Sequence, residues 1–143
     1  MILLDTNVVS EPLRRTPEPR VVAWIDAQPL ETLFLSAVTV AELRAGVELM
    51  PAGRRRDTLR DQLEKRVLPL FAGRVRPFSM DCTQAWAGLL ACARRAGTAI
   101  SAADSYIAAI AMANGFMVAT RDTTPFVASG VPVIDPWNSD CPI

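Results

Sequence analysis

Histidine is absent from the 143 residues. That absence excludes histidine-based acid–base pairs, Ser-His and Cys-His nucleophile systems, and histidine-containing zinc sites. Any hydrolytic chemistry then falls to carboxylates and an oxygen-held metal ion. Cysteine is scarce: Cys82, Cys92 and Cys141 are odd in number and form no C-x-x-C. They read as buried thiols of a reducing compartment rather than as disulfides or metal ligands. Aromatic residues make up only 6%, so the core must be built from Ala, Val, Leu and Ile. There is no excess of charge, with 15 basic and 15 acidic residues. This argues against a nucleic-acid binder acting over its whole surface, though it leaves room for a local basic patch. Long apolar runs are missing too. The stretch from Ile107 to Ala113 is far short of the roughly 20 residues a membrane span needs. Asp5 interrupts the first apolar run too early for a signal peptide. The expectation is a cytoplasmic protein without membrane attachment.

Half of the residues are hydrophobic, enough for one sizeable core, and the length fits a single domain over 1–143 with a tail at 136–143. Ile2 to Leu4 reads as a buried strand ending in the polar triplet Asp5-Thr6-Asn7. A short helix or turn follows to Pro12, then a helix from Pro19 towards Pro29. Thr32 to Ser36 reads as a second strand. Thr39 is expected to open a helix carrying Val40, Leu43, Val47 and Met50, and Arg54 to Leu68 a charged amphipathic one. Val75 to Phe78 is a short extended piece. Helices at 81–95 and 101–114 end at Gly97 and at Asn114-Gly115. Phe116 to Thr120 and Val131 to Ile134 are the remaining strands, with a helical turn at 125–128. Apolar strands alternating with helices imply an α/β fold with a mainly parallel central sheet covered on both faces.

Four acids stand apart from the others. Asp5 follows the first strand, Asp122 follows the strand ending at Thr120, and Glu42 and Asp104 fall in the first turns of two helices. In a parallel α/β sheet these places share one edge, where ligand sites form. Each acid also has a plain local role open to it. Thr39-x-x-Glu42 and Ser101-x-x-Asp104 match capping boxes, Asp5 can cap a turn, and Asp122 can begin an Asx turn. Two features favour the joint role. Glu42 and Asp104 are the acids set in apolar surroundings, whereas Asp57, Asp61 and Glu64 sit among arginines at helical pairing distance. Carboxylates gathered on one edge also repel unless a cation neutralises them, and Mg²⁺ or Mn²⁺ suits such hard oxygen donors.

The motifs Leu-Leu-Asp5-Thr6-Asn7, Val40-Ala-Glu42-Leu, Ala-Ala-Asp104 with Tyr106-Ile-Ala-Ala, and Ala-Thr120-Arg-Asp122 together resemble the PIN domain. More narrowly the chain resembles VapC-type toxins of bacterial toxin–antitoxin pairs. Ser10-Glu11-Pro12-Leu13, Val21-Val22-Ala23-Trp24, Leu68 to Gly73 and Pro136-Trp137 are similar to the FitB branch. The resemblance spans nearly the whole chain. It implies a three-layer α/β/α domain and a Mg²⁺- or Mn²⁺-dependent endoribonuclease. It also implies a homodimer and a ribbon-helix-helix antitoxin that blocks the site and, in complex, binds operator DNA. Asp5, Glu42, Asp104 and Asp122 correspond to its catalytic, metal-holding quartet. Where relatives often carry a further acid, this chain has Pro125 before Phe126.

Thr6 and Asn7 are expected to orient Asp5 and its water, with Thr120 doing the same from the opposite strand. Arg14, Arg15, Arg44 and Arg121 are candidate RNA contacts, with Arg20 nearby. The run Arg54-Arg55-Arg56 reads first as a solvated helix start. The apolar faces of helices 81–95 and 101–114 should pack on the sheet, any remainder serving a dimer or antitoxin interface. The competing function is a weakly active or inactive module that acts as co-repressor partner of a DNA-binding protein. Another Mg²⁺-binding α/β domain, of phosphoryl-transfer or receiver type, is disfavoured, because no Asp-x-Asp pair follows the first strand and no Gly-rich phosphate loop is present.

Overall fold

A computed structural model describes residues 1–138. Cys141 and the end of the expected tail fall outside the described residues. Among the described residues five strands form one parallel sheet: β1 (Ile2–Leu4), β2 (Leu33–Ser36), β3 (Val75–Arg76), β4 (Met117–Ala119) and β5 (Val133–Ile134). Their order across the sheet is β3-β2-β1-β4-β5. Ile2, Leu3 and Leu4 pair with Met117, Val118 and Ala119 on one side, and Ile2 and Leu3 with Leu33 and Phe34 on the other.

Seven α-helices cover the sheet among the described residues: α1 (Thr6–Ser10), α2 (Pro19–Ala27), α3 (Ala37–Glu48), α4 (Arg54–Gln62), α5 (Thr83–Arg95), α6 (Ala102–Asn114) and α7 (Thr123–Ala128). The side-chain alternation of the strands divides the core into two layers. Leu3, Phe34 and Val118 point to one face and pack with α5 and α6 through Leu89, Ile107 and Ile110. Leu4, Leu33, Leu35 and Ala119 point to the other and pack with Val8, Trp24, Leu43 and Leu63. This is the expected three-layer arrangement. Leu3, with no solvent exposure, contributes roughly 1.5–3 kcal/mol of burial.

Helix α6 is buried without interruption from Ile107 to Ala111, because alanines let it lie close between the sheet layer and α5. Gly115 closes it at φ 69°, a left-handed turn that carries no steric cost in glycine. The expected helix 54–68 is broken in character: a π-helical stretch at Leu63–Val67 and a 3₁₀ turn at Leu68–Phe71 follow α4. That widening leaves Leu63 almost wholly buried.

The chain passes from β1 to β2 on one side, while β4 inserts on the other side of β1. The carboxyl ends of β1 and β4 therefore flank the switch point of the sheet, where such folds open a crevice. No helix among the described residues is long and apolar enough to cross a membrane.

Candidate metal centre and its surroundings

Asp5 stands at the switch point. Its own amide donates to Ala119 O at 2.9 Å. Its carboxylate Oδ1 accepts from the Thr6 amide at 2.8 Å, and Oδ2 accepts from the Thr120 hydroxyl at 2.8 Å. Asn7 Nδ2 lies 3.5 Å from the same Oδ2. The capping role and the site role thus coexist: one oxygen caps α1, and the other is aimed by β4. Burial pushes the Asp5 carboxyl up to about 6. The hydrogen bonds from Thr120 and Thr6 oppose this, and the charges of Asp104 and Glu42 add to it.

The placement of Glu42 differs from the sequence reading. Thr39 does not open α3; Ser36 does, accepting from the Thr39 amide at 2.9 Å. Ser36-x-x-Thr39 and Thr39-x-x-Glu42 carry the same local signal, and the buried end of β2 decides between them. Glu42 therefore lies in the second turn and is free of capping. Its Oε1 accepts from the Thr6 hydroxyl at 2.6 Å. Thr6 Oγ1 lies 3.3 Å from Thr39 Oγ1, which is 3.2 Å from Ser36 Oγ. The Thr6 side chain thus serves Glu42, while its backbone serves Asp5. Ser36 and Thr39 are supports that sequence reasoning missed; the legible hint was a hydroxyl closing an apolar strand.

Asp104 is half-buried at the start of α6, where the Ser101 hydroxyl accepts from its amide at 3.1 Å. Burial raises its pKa, the Ser101 side chain opposes that, and Asp122 and Glu42 raise it further. Asp122 is exposed and precedes α7 without a side-chain capping bond. Its amide donates to Thr120 Oγ1 at 3.1 Å, so one hydroxyl ties Asp5 and Asp122 together. The Asx turn is not formed, which frees the Asp122 carboxylate for the shared edge. Pro125 is buried inside α7.

The four acids form one electrostatically linked group, and among the described residues none has a basic partner within 4 Å. Their donor set is all oxygen, anionic and partly desolvated, which fits a hard divalent cation. The fit is open rather than closed. No three Asp, Glu or Cys side chains among the described residues already stand close enough to hold an ion by themselves. Water must fill part of any coordination shell there.

The candidate RNA contacts divide. Arg44 is locked in a fork on Glu64 at 2.8 and 3.1 Å, and Arg14 lies 2.9 Å from the buried Glu11. Glu11 itself gave no sequence signal as a buried charge; it is held by Arg14 three residues on. Arg15 is exposed. The Arg121 guanidinium lies over the Trp137 ring, 5.2 Å from its centroid, and its amide donates to Asn7 Oδ1 at 3.3 Å. Arg20 donates to Trp137 O at 2.8 Å. In the basic run, Arg55 donates to Leu13 O at 3.3 Å and Arg56 faces Asp57 at 3.8 Å. Cys82 is buried and Cys92 half-buried, both as free thiols.

The PIN domain family profile matches residues 2–128. The plasmid stability protein StbB of Pseudomonas syringae pv. tomato is 64% identical over 139 residues, covering 97% of this chain and 100% of the relative. The VapC ribonuclease Y4jK of Sinorhizobium fredii is 57% identical, covering 96% and 98%. Toxin FitB of Neisseria gonorrhoeae is 51% identical, covering 96% and 99%. The crystal structure of FitAcB from Neisseria gonorrhoeae superposes with a TM-score of 0.93 at 51% identity, covering 97% and 100%. A structure of FitAB bound to an IR36 DNA fragment gives 0.94 at 49% identity, covering 98% of each chain. Profile, relatives and fold agree with the resemblance read from the four motifs, and the chain belongs to the PIN domain family.

Proposed function

We propose that this protein is a Mg²⁺- or Mn²⁺-dependent endoribonuclease acting as the toxin of a type II toxin–antitoxin pair. The observation that carries the chemistry is the linked, unneutralised quartet of Asp5, Glu42, Asp104 and Asp122 at the sheet's switch point. The names of the relatives, a ribonuclease and a toxin, support the substrate and the role. A bound Mg²⁺ or Mn²⁺ supplies charge neutralisation on the phosphate and a water of lowered pKa. Asp5 and Glu42 hold their side of the site because Thr6, Thr120 and Asn7 fix their oxygens before the substrate arrives. Asp104 closes the third side from α6. With no histidine present, the proton leaving the attacking water passes to a carboxylate oxygen. Asp122 carries no side-chain capping bond, which suits its carboxylate to that task.

The proposed partners are a ribbon-helix-helix antitoxin, operator DNA through that complex, and a second copy of the chain, in the cytoplasm. The likeness to FitAB bound to an IR36 DNA fragment supports a partner protein and DNA binding through the complex. An apolar groove of about 310 Å³ opens beside Thr6 and Glu42, lined by Leu13, Leu43, Val47, Met50, Leu59 and Leu63. It suits an apolar antitoxin segment that would cover the acids. Exposed Phe78 and Met80, beside the edge strand β3, suit the copy–copy contact.

The quartet's failure to form a closed cage favours a second reading, a non-catalytic co-repressor partner. Cleavage of an RNA oligonucleotide in Mn²⁺ and in EDTA separates the two. The nuclease reading expects cleavage in Mn²⁺ alone; activity in neither condition favours the co-repressor.

A further inference from the structure

Beyond the acids, past Arg121, lie two polar clefts. The larger, of about 460 Å³, is bordered by Arg20, Asp135 and Asn138. The smaller, of about 250 Å³, runs past Glu11, Arg14 and Thr16. Glu18, Arg121 and Trp137 border both, so the Arg121–Trp137 pair forms a ridge between them.

The other charged groups of the clefts are already engaged. Glu11 holds Arg14. Glu18 accepts from the Arg20 amide, and the Arg20 guanidinium donates to Trp137 O. Asp135 accepts from the Trp137 amide at 2.9 Å and from Asn138 Nδ2 at 2.9 Å. Among the described residues the Arg121 guanidinium has no carboxylate within 4 Å; it rests on the indole. Trp137 is itself only half-buried, its inner side packed on the core layer that contains Leu4 and Trp24.

The ridge is also tied to the acids. The Arg121 amide donates to Asn7 Oδ1, whose own amide group reaches Asp5 Oδ2, and Asp122 is the next residue. The backbone at Arg121 is therefore anchored beside Asp5.

We propose that the Arg121–Trp137 ridge is a nucleotide subsite for single-stranded RNA, flanking the phosphodiester that the acids cleave. The guanidinium, backed by the indole, stacks one base on its outer face, and its edge donors meet the adjoining phosphate. This rests on the ribonuclease reading above. A single-stranded target follows from the need for an unstacked base with an open face. Every base offers such a face, so the subsite contributes grip with little sequence preference. A guanidinium backed by a ring on one face, with no carboxylate within 4 Å among the described residues, is also suited to a phosphate.

The test is steady-state cleavage of a fluorogenic RNA octamer in Mn²⁺ at several salt concentrations. Trp137→Leu keeps apolar packing but loses the ring; it should raise KM roughly tenfold with kcat near wild type. Trp137→Phe should restore KM to within about threefold. Arg121→Gln should raise KM and lower the slope of log KM against log salt by about one. Wild-type KM and salt slope in both Trp137→Leu and Arg121→Gln would overturn the subsite while leaving the nuclease standing. If Trp137→Leu fails to fold, the exposed Arg121→Gln decides in the same way. A wild-type chain that cleaves no RNA in Mn²⁺ overturns the ribonuclease reading, and the subsite with it.

Discussion

On α3, α4 and the turn after α4, Glu48, Asp57, Asp61 and Glu64 each stand within 4 Å of a basic side chain; at the sheet edge, Asp5, Glu42, Asp104 and Asp122 have no such partner among the described residues. Arg44 holds the Glu64 carboxyl below its usual range. Burial carries Asp5 and Asp104 above theirs. The same side-chain chemistry is stabilising in one region and costly in the other. A folded chain keeps a costly cluster where something outside it completes the charge balance. The surface acids need nothing more than the arginines and lysine beside them.

The sharpest way to break that contrast is to remove one charge from each region. Asp5→Asn should lower RNA cleavage in Mn²⁺ by roughly a thousandfold or more, since both charge neutralisation and water activation are lost. Glu64→Gln should leave cleavage near wild type, because its carboxylate serves only Arg44 at an exposed surface. Rates of a fluorogenic RNA read both. Equal losses in the two variants would remove the distinction.

Next in size are the hydroxyls that aim the acids. Thr120→Val removes a bond to Asp5 and one to the Asp122 amide. Thr6→Val removes the bond to Glu42. Each should cost about 10–100-fold in metal affinity or cleavage rate, the usual effect of losing such a support. Unchanged Mn²⁺ dependence in both would show that the acids orient themselves.

Stability against pH gives a smaller effect of unusual sign. In metal-free protein Asp5 keeps its proton up to about pH 6, whereas an unperturbed aspartate titrates near 3.8. Between those values the folded state binds the extra proton, so stability falls as pH rises through the window. Urea melts in EDTA at pH 5 and pH 7 should show this as about 1 kcal/mol. Asp5→Asn should flatten the difference and melt higher at pH 7. A wild-type chain that gains stability over the same interval, through this carboxyl, would contradict the burial argument. The surface acid Glu64 has the opposite sign, its stabilisation being lost as pH falls through its lowered pKa.

How much of this was legible follows from which forces are local. Ile2 to Leu4 and Phe116 to Thr120 announce their strands by apolar content, and parallel topology then places Asp5 and Asp122 on one edge. The division of Leu3 and Leu4 between two core layers follows from period-two alternation alone. The helix start before Glu42 was not legible, because two overlapping Ser/Thr motifs compete and only burial of Ser36 selects one. Thr6 is expected to orient Asp5, and its amide does so; that its hydroxyl also serves Glu42 is a contact across 36 positions that no local pattern encodes. Arg44 looked available for RNA until α4's π-helical continuation brought Glu64 beside it. The pattern of misses is consistent: positions along the chain were readable, and pairings between distant elements were not.

The claim that the unpaired acids form a cation site is tested most directly by Mn²⁺ titration calorimetry on wild-type protein, Asp5→Asn, Asp104→Asn and Glu64→Gln. The account predicts saturable Mn²⁺ binding by wild type and Glu64→Gln, and binding weakened at least tenfold in the other two. Equal Mn²⁺ binding by all four proteins, or none by wild type, would contradict it.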